Sequence, residues 1–394
     1  MKWLLIMVLA LAAASAAFPA QDQAFLAILA ETSVTKMPGM GGMPKLPAGI
    51  DLSKVPGAEK MMGMFAPQRK LEVRLWSPSI APKDAFASIA PPAGLKQGNK
   101  LDLELYRPEP VSGKETTTGK DQDIGMGDSK GFTMKIYWGC SDTVRPGQPK
   151  VVKWDGLTDE QKEQMKRQAS EMRTKGATSY FYKPDWTTGY WPTPKQPGKI
   201  EKDASLVGSY ALTTNYTGSI SIDAPSNVNF LAPFELTSPD LDQSPPLDKA
   251  IPLEWKQIPN ALGLHASVFG MEGKNTFVMW SSSEVQTDAA MSNWDYLQMA
   301  EVREFVKQTV MMKGDATSCT IPAGIFKACD MSFLRMIGYG PGAALDKGQP
   351  LPRIQTKTTF SMPLSMKGMG GGGMRMPKMR GKERTDGKED SGEN

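Results

Sequence analysis

Apolar and polar residues alternate along much of the chain with the two-residue period of half-buried strands. Lys70–Trp76 reads KLEVRLW, with Leu71, Val73 and Leu75 on one face, and Lys100–Tyr106 repeats the pattern with Leu101, Leu103 and Leu105. Phe132–Trp138 (FTMKIYW) predicts a third strand, followed by Gly139, Cys140 and a turn at Arg145-Pro146-Gly147. Shorter β-like runs follow at Ser205–Thr213 and Gly218–Ile222. Helical periods are rare. One covers Thr158–Lys175, with a capping box of Thr158 and Gln161 and a narrow stripe of Met165, Ala169 and Met172 that places it on a surface. Another covers Met299–Gln308, where Val302, Phe305 and Val306 share a face. The 31 prolines favour many short connections over long helices.

Two stretches lack any period. Residues 36–64 mix Gly, Pro and Met, and 367–394 run from GMGGGGM into mixed charge; both read as unstructured flanks. Met1–Ala20 has the order of a secretory leader: Lys2, an apolar stretch from Trp3 to Ala14, then small residues at Ala14-Ser15-Ala16. Its dozen or so apolar residues fall short of the roughly 20 that span a bilayer, so no transmembrane span is expected after cleavage. The expected location is the periplasm or the exterior. Export makes a disulfide feasible. Three cysteines, Cys140, Cys319 and Cys329, leave three pairings open and one thiol over.

Phe234–Phe269 gives the most structured signal: a strand, a break at Ser238-Pro239, a second strand ending in Trp255, a turn at Ile258-Pro259, and Ala261-x-Gly263-Leu264 opening a third. This order resembles the first three strands of fibronectin-type-III-like (immunoglobulin-like) domains, whose second-strand tryptophan packs into a sandwich; Leu264 stands where such domains carry an aromatic residue. Asn275–Ser281 and Ser332–Tyr339 would supply later strands. The chain also resembles uncharacterised exported proteobacterial proteins through KIYWGC at 135–140, MWSSSEVQ at 279–286 and SCTIPAG at 318–324. That likeness implies no activity. It places Cys140 and Cys319, but not Cys329, in the shared strings, and so favours a Cys140–Cys319 bridge.

The expected fold is therefore mainly β, with two β-rich regions, one or two peripheral helices and disordered flanks. The expected order is a signal peptide at 1–20, a Met/Gly/Pro-rich flexible segment at 21–66, a β-rich domain at 67–225 with the surface helix, a fibronectin-III-like sandwich at 226–366, and a disordered tail at 367–394.

Composition narrows the chemistry. A net charge of +4 on 394 residues gives little support to nucleic acid as a partner. His265 is the only histidine, which excludes sites built from two or three imidazoles of one chain. Strand alternation puts His265 on a face with Ser267 and Phe269, as a surface or half-buried residue. Ser281–Ser283 with Glu284 suggest a hydrolase cluster, yet no G-x-S-x-G elbow occurs and serines at strand ends are common turn chemistry. Gly113–Lys120 has the wrong spacing for a P-loop, and Asp121, Asp123 and Asp128 lack calcium-loop spacing.

Two features could bind something. Ser179–Pro192 carries Tyr182, Trp186, Tyr190 and Trp191 among its rings, which would stack on a sugar or peptide if exposed and cap the core if buried. Met37, Met40 and Met43 recur every third residue in one flank, and the pairs Met366/Met369 and Met376/Met379 repeat that spacing in the other; thioethers suit Cu(I) or Ag(I). The reading that results is an exported, non-catalytic binding or structural protein without a cofactor, taking a protein or glycan ligand. Soft-metal binding through the flanks is one alternative. A carboxylate-pair glycosidase, which needs no sequence motif, is the other.

Overall fold

The structure, a computed structural model, describes residues 25–38, 66–107, 131–163, 186–241, 243–286, 297–344 and 353–366. It is mainly β. In chain order, β1 is Phe25–Thr35, β2 Gln68–Ser77, β3 Ala87–Ala90, β4 Leu101–Asp102 and β5 Glu104–Tyr106. A hairpin of β6 (Thr133–Trp138) and β7 (Lys150–Lys153) follows, then β8 (Thr187–Trp191), β9 (Gly208–Thr214) and β10 (Ile220–Ala224). The second half holds β11 (Leu236–Ser238), β12 (Ile251–Trp255), β13 (Gly263–Glu272) and β14 (Thr276–Ser281). After helix α1 (Met299–Lys307) come β15 (Met312–Lys313), β16 (Ser318–Ile321), β17 (Met331–Tyr339), β18 (Ala343–Ala344) and β19 (Arg353–Met366).

Twelve strands form one sheet in the order β5-β8-β2-β1-β19-β17-β13-β14-β6-β7, with β15 beside β13 and β18 beside β19. Two smaller sheets, β10-β9-β3-β4 and β11-β12-β16, pack on one face of it and enclose a core each. Side-chain alternation explains how. Leu26 and Ile28 of β1, with Val73 and Leu75 of β2 and Trp191 of β8, meet Ile89, Tyr210, Leu212 and Ile222 in the first core. On the same face, at the other end of the central strands, Val34, Phe360 and Leu364 join Leu264, Val268, Trp280 and Leu334 against Leu253, Trp255 and Ile321 in the second. Trp255 is 3% exposed, the core tryptophan that the pattern at 251–255 implies.

The opposite face is divided. Near its middle, Val302 of α1 packs with Leu297, Val310 and Met311 over Ile337 and Tyr339. The cap of α1 is a reciprocal pair in which the Gln298 amide donates to the Glu301 carboxylate at 2.7 Å. Beside it a buried polar strip crosses β1 and β19, where Glu31 accepts from Thr359 at 2.6 Å and pairs with Lys357 at 3.4 Å. Among the described residues no helix is long and apolar enough to cross a membrane.

Three expectations need correcting. The flexible segment foreseen from 21 to 66 contains β1, which pairs in parallel with β19 from Ala27 opposite Arg353 to Thr35 opposite Ser361, and antiparallel with β2. Its run FLAILA shows no alternation because both faces are buried, Ala27 and Leu29 being covered on the far side by Trp76. The single strand expected over Lys100–Tyr106 is broken at Leu103: β4 pairs with β3 in the small sheet and β5 with β8 in the large one. The two expected regions share the large sheet, and the hairpin β6–β7 of the first pairs beside β14 of the second, with β6 parallel to β14. The helix expected at 158–175 does start on its capping box, Gln161 accepting from the Thr158 amide at 2.9 Å; residues 164–175 lie outside the described set.

Candidate binding surface on the large sheet

The aromatic cluster at 180–191 is divided by strand alternation. Trp191 points inward and is 1% exposed, so it is a core residue and not a ligand platform; its indole N–H donates to Gln196 Oε1 at 3.1 Å. Tyr190, one position back, emerges on the outer face, stacked on Tyr106 with ring centroids 4.9 Å apart and the two hydroxyls 2.5 Å apart. The Arg74 guanidinium lies 5.3 Å from the Tyr190 ring and is held by Glu72 at 3.0 Å. Trp186 stacks on Phe25 at 5.3 Å. These rings largely cover one another, although Tyr106 keeps 47% of its surface exposed. Tyr182 lies outside the described residues.

A second outer-face cluster, absent from the sequence reading, is more open. The register of five adjacent strands, β19-β17-β13-β14-β6, aligns two apolar rows. One contains Met366, Met331, Met271, Phe277 and Met134; the other contains Pro363, Phe333, Phe269, Met279 and Ile136. Phe269 and Phe333 face each other across β13 and β17, 42% and 43% exposed, and Phe277 leans on Phe269 at 5.6 Å. Arg335 borders this surface one row further along β17. The signal for it was present: where β13 and β17 pair over Phe269–Met271 and Met331–Phe333 the outer face is apolar as well as the inner, and a sheet with one face already packed must either cover the other or leave it as a patch.

The serines of the suggested hydrolase cluster run alongside His265: Ser281 pairs with Ser267, and the Ser282 amide donates to the Ala266 carbonyl at 2.8 Å. His265 is 3% exposed, buried among residues near α1 and not at the surface, which corrects the half-exposed expectation; cross-strand from it stands Ile337. Burial, reinforced by the Arg335 charge, pushes its pKa down to about 3. Ser282 accepts from the Ala266 amide of β13 at 2.9 Å and Ser283 donates to the Val285 carbonyl at 2.7 Å, so both hydroxyls serve backbone partners. Glu284 is taken by Arg145 at 2.6 Å and the Cys140 amide at 3.2 Å.

The neutral imidazole has a pH consequence. The unfolded chain binds a proton here below about 6.5 while the folded one does not until about 3, so His265 lowers stability as pH falls through that window and contributes nothing above it. The resonance of this single imidazole is expected to keep its neutral position down to pH ~5, whereas an inflection near pH 6.5 would show an exposed ring.

The bridge favoured by the shared strings is present: Cys140 and Cys319 are disulfide-bonded with Cα atoms 5.1 Å apart, and Cys329 is buried against Gly270. Cys140 follows β6 and Cys319 lies on β16, so the bond ties the large sheet to the small one. Around it the Gly139 amide donates to Ser281 O at 3.0 Å and the Ser141 amide to Thr320 O at 3.1 Å. Gly139 is required there: its φ is +94°, and a Cβ would fall 2.5 Å from the Arg145 guanidinium.

Of the methionines proposed as soft ligands, Met40, Met43, Met369, Met376 and Met379 lie outside the described residues. Met37 sits partly buried two positions past β1, and Met366 is the last residue of β19 instead of part of a flank. Because β1 and β19 are parallel, their C-terminal ends, at Thr35 and Met366, lie towards the same edge of the sheet. Among the described residues no group of three or more His, Cys, Asp and Glu side chains could hold a metal ion. Compared with protein-family models and with curated proteins, the chain matches none.

Proposed function

We propose that this is an exported, non-catalytic binding protein that takes an extended apolar polypeptide segment on the Phe/Met face of its large sheet. The observation that carries the reading is the cross-strand pair Phe269–Phe333, two large rings left more than two-fifths exposed in the middle of an apolar surface. Its two rows cross five strands, about 19 Å at the usual strand spacing, a length matched by about six residues of extended chain. Methionine and phenylalanine adapt to varied apolar side chains, which suits recognition of a chemical class over a single sequence. The export part of the reading rests on the leader at 1–20.

The likeness to fibronectin-type-III domains gains support from strand order. The sheet β11-β12-β16 faces the run β14-β13-β17-β19, a three-on-four antiparallel sandwich of the kind that serves as a binding module in many exterior proteins. His265, buried and neutral, and the serines committed to backbone partners favour binding over hydrolysis.

The test uses a labelled, lysine-flanked apolar octapeptide, with anisotropy as the readout. The mature protein is expected to bind it, and Phe269→Ser/Phe333→Ser to bind at least tenfold more weakly with an unchanged circular dichroism spectrum, since both rings are on the surface. Equal affinity in parent and variant, or no binding by either, would overturn the proposal.

A further inference from the structure

The geometry points to a soft-cation site for Cu(I) or Ag(I) on the sheet itself, formed by the thioethers of Met271, Met331 and Met366. The three come from different parts of the chain and meet only through pairing: Met271 on β13 is opposite Met331 on β17, and Met331 is opposite Met366 on β19. All three are on the outer face and partly exposed. Cross-strand neighbours on one face have Cβ atoms about 5 Å apart, and methionine has three rotatable bonds, so the two outer sulfurs can lean over the central one and converge on one ion.

A β-bulge completes the row. Between Ser332 and Phe333 the register of β19 shifts by one residue: Phe333 faces Pro363 and Ser332 faces Ser365, skipping Leu364. In an unbroken ladder Ser365 would face Met331 and the third thioether would be absent. The ligand set is also selective. Three neutral sulfurs without a carboxylate offer nothing to Ca²⁺ or Mg²⁺, which want oxygen, and suit a soft monovalent ion of low coordination number. Phe277 closes one end of the row, opposite Met271, and Phe269 and Phe333 border it, giving an apolar surround with ring faces available to a cation.

This site shares its face with the proposed peptide surface but depends on sulfur, whereas peptide binding depends on apolar area. Ag(I) uptake and octapeptide anisotropy are measured separately on the parent, so either reading can fail while the other stands, and leucine removes the sulfur with little change of apolar area. Ag(I) is titrated into the full mature chain against free methionine as competitor, following the methionine methyl resonances. Met271, Met331 and Met366 are expected to shift together, and Met331→Leu to weaken Ag(I) binding at least tenfold with an unchanged circular dichroism spectrum. Met311→Leu, beneath α1, is expected to bind like the parent. So is a chain ending at Met366, which lacks the methionines of the tail. Unchanged Ag(I) affinity in Met331→Leu, or its loss on removing residues 367–394, would overturn the proposal.

Discussion

Replacing Cys140 and Cys319 together by alanine is expected to lower stability by about 5 kcal/mol, the loop-closure entropy released when a cross-link 179 residues apart is removed from the unfolded chain. The size follows from where the bond sits. A bridge between neighbours on one hairpin would constrain little, but this one joins the segment after β6 to β16, with β7 to β15 between them. The folded state gives back little of that energy. The Ser141 amide still reaches Thr320 and the Ala323 amide still reaches Asp142, so the native sandwich keeps its closed side without the sulfurs. Guanidinium unfolding of the non-reduced parent and the double variant is the measurement, and coincident midpoints would refute the estimate.

Trp255→Ala is expected to cost about 3–5 kcal/mol, the range for emptying a large aromatic site in a close-packed core. Trp255 lies on the middle strand of the small sheet, edge-on to Phe234 at 6.3 Å, with Leu253 two residues away in the same core. Its indole N–H is buried with no hydrogen-bond partner. Phenylalanine there loses some volume but also removes a stranded donor, and these effects oppose each other, so Trp255→Phe is expected to cost less than about 1.5 kcal/mol. Thermal or denaturant unfolding of both variants checks the pair. An alanine variant that melts like the parent would mean that this ring is not holding the two sheets together.

Legibility in the sequence followed burial. Strands with one wet face, such as β2 and β12, announce themselves by alternation, and α1 by its stripe of Val302, Phe305 and Val306. The two strands at the centre of the large sheet do not. β1 is covered on both sides, and β19 interleaves buried Arg353, Gln355 and Lys357 with buried Ile354, Thr356 and Thr358, so neither shows a clean period. The binding surface was hidden for another reason. Phe269, Phe333 and the three methionines are unremarkable singly, and only cross-strand register, including a bulge that no local pattern signals, assembles them. The aromatic residues of 179–192 form one cluster in the sequence, whereas neighbours on a strand, such as Tyr190 and Trp191, point to opposite faces.

Because β1 lies between β2 and β19, a chain leaving the ribosome carries the middle strand of its sheet long before the strand that completes it. Thr35 and Ser361, whose hydroxyls meet across that pair, are 326 residues apart. Pairing at such separation is entropically costly and slow. β2 can dock on one side of β1 early in synthesis, but the other edge stays open until the final strand of 14 residues arrives. Among the described strands the last one made thus completes the β1–β19 pair, which runs through both cores. Ending translation anywhere before residue 353 leaves a bare, apolar edge ready to pair with another molecule, not a smaller version of the same fold.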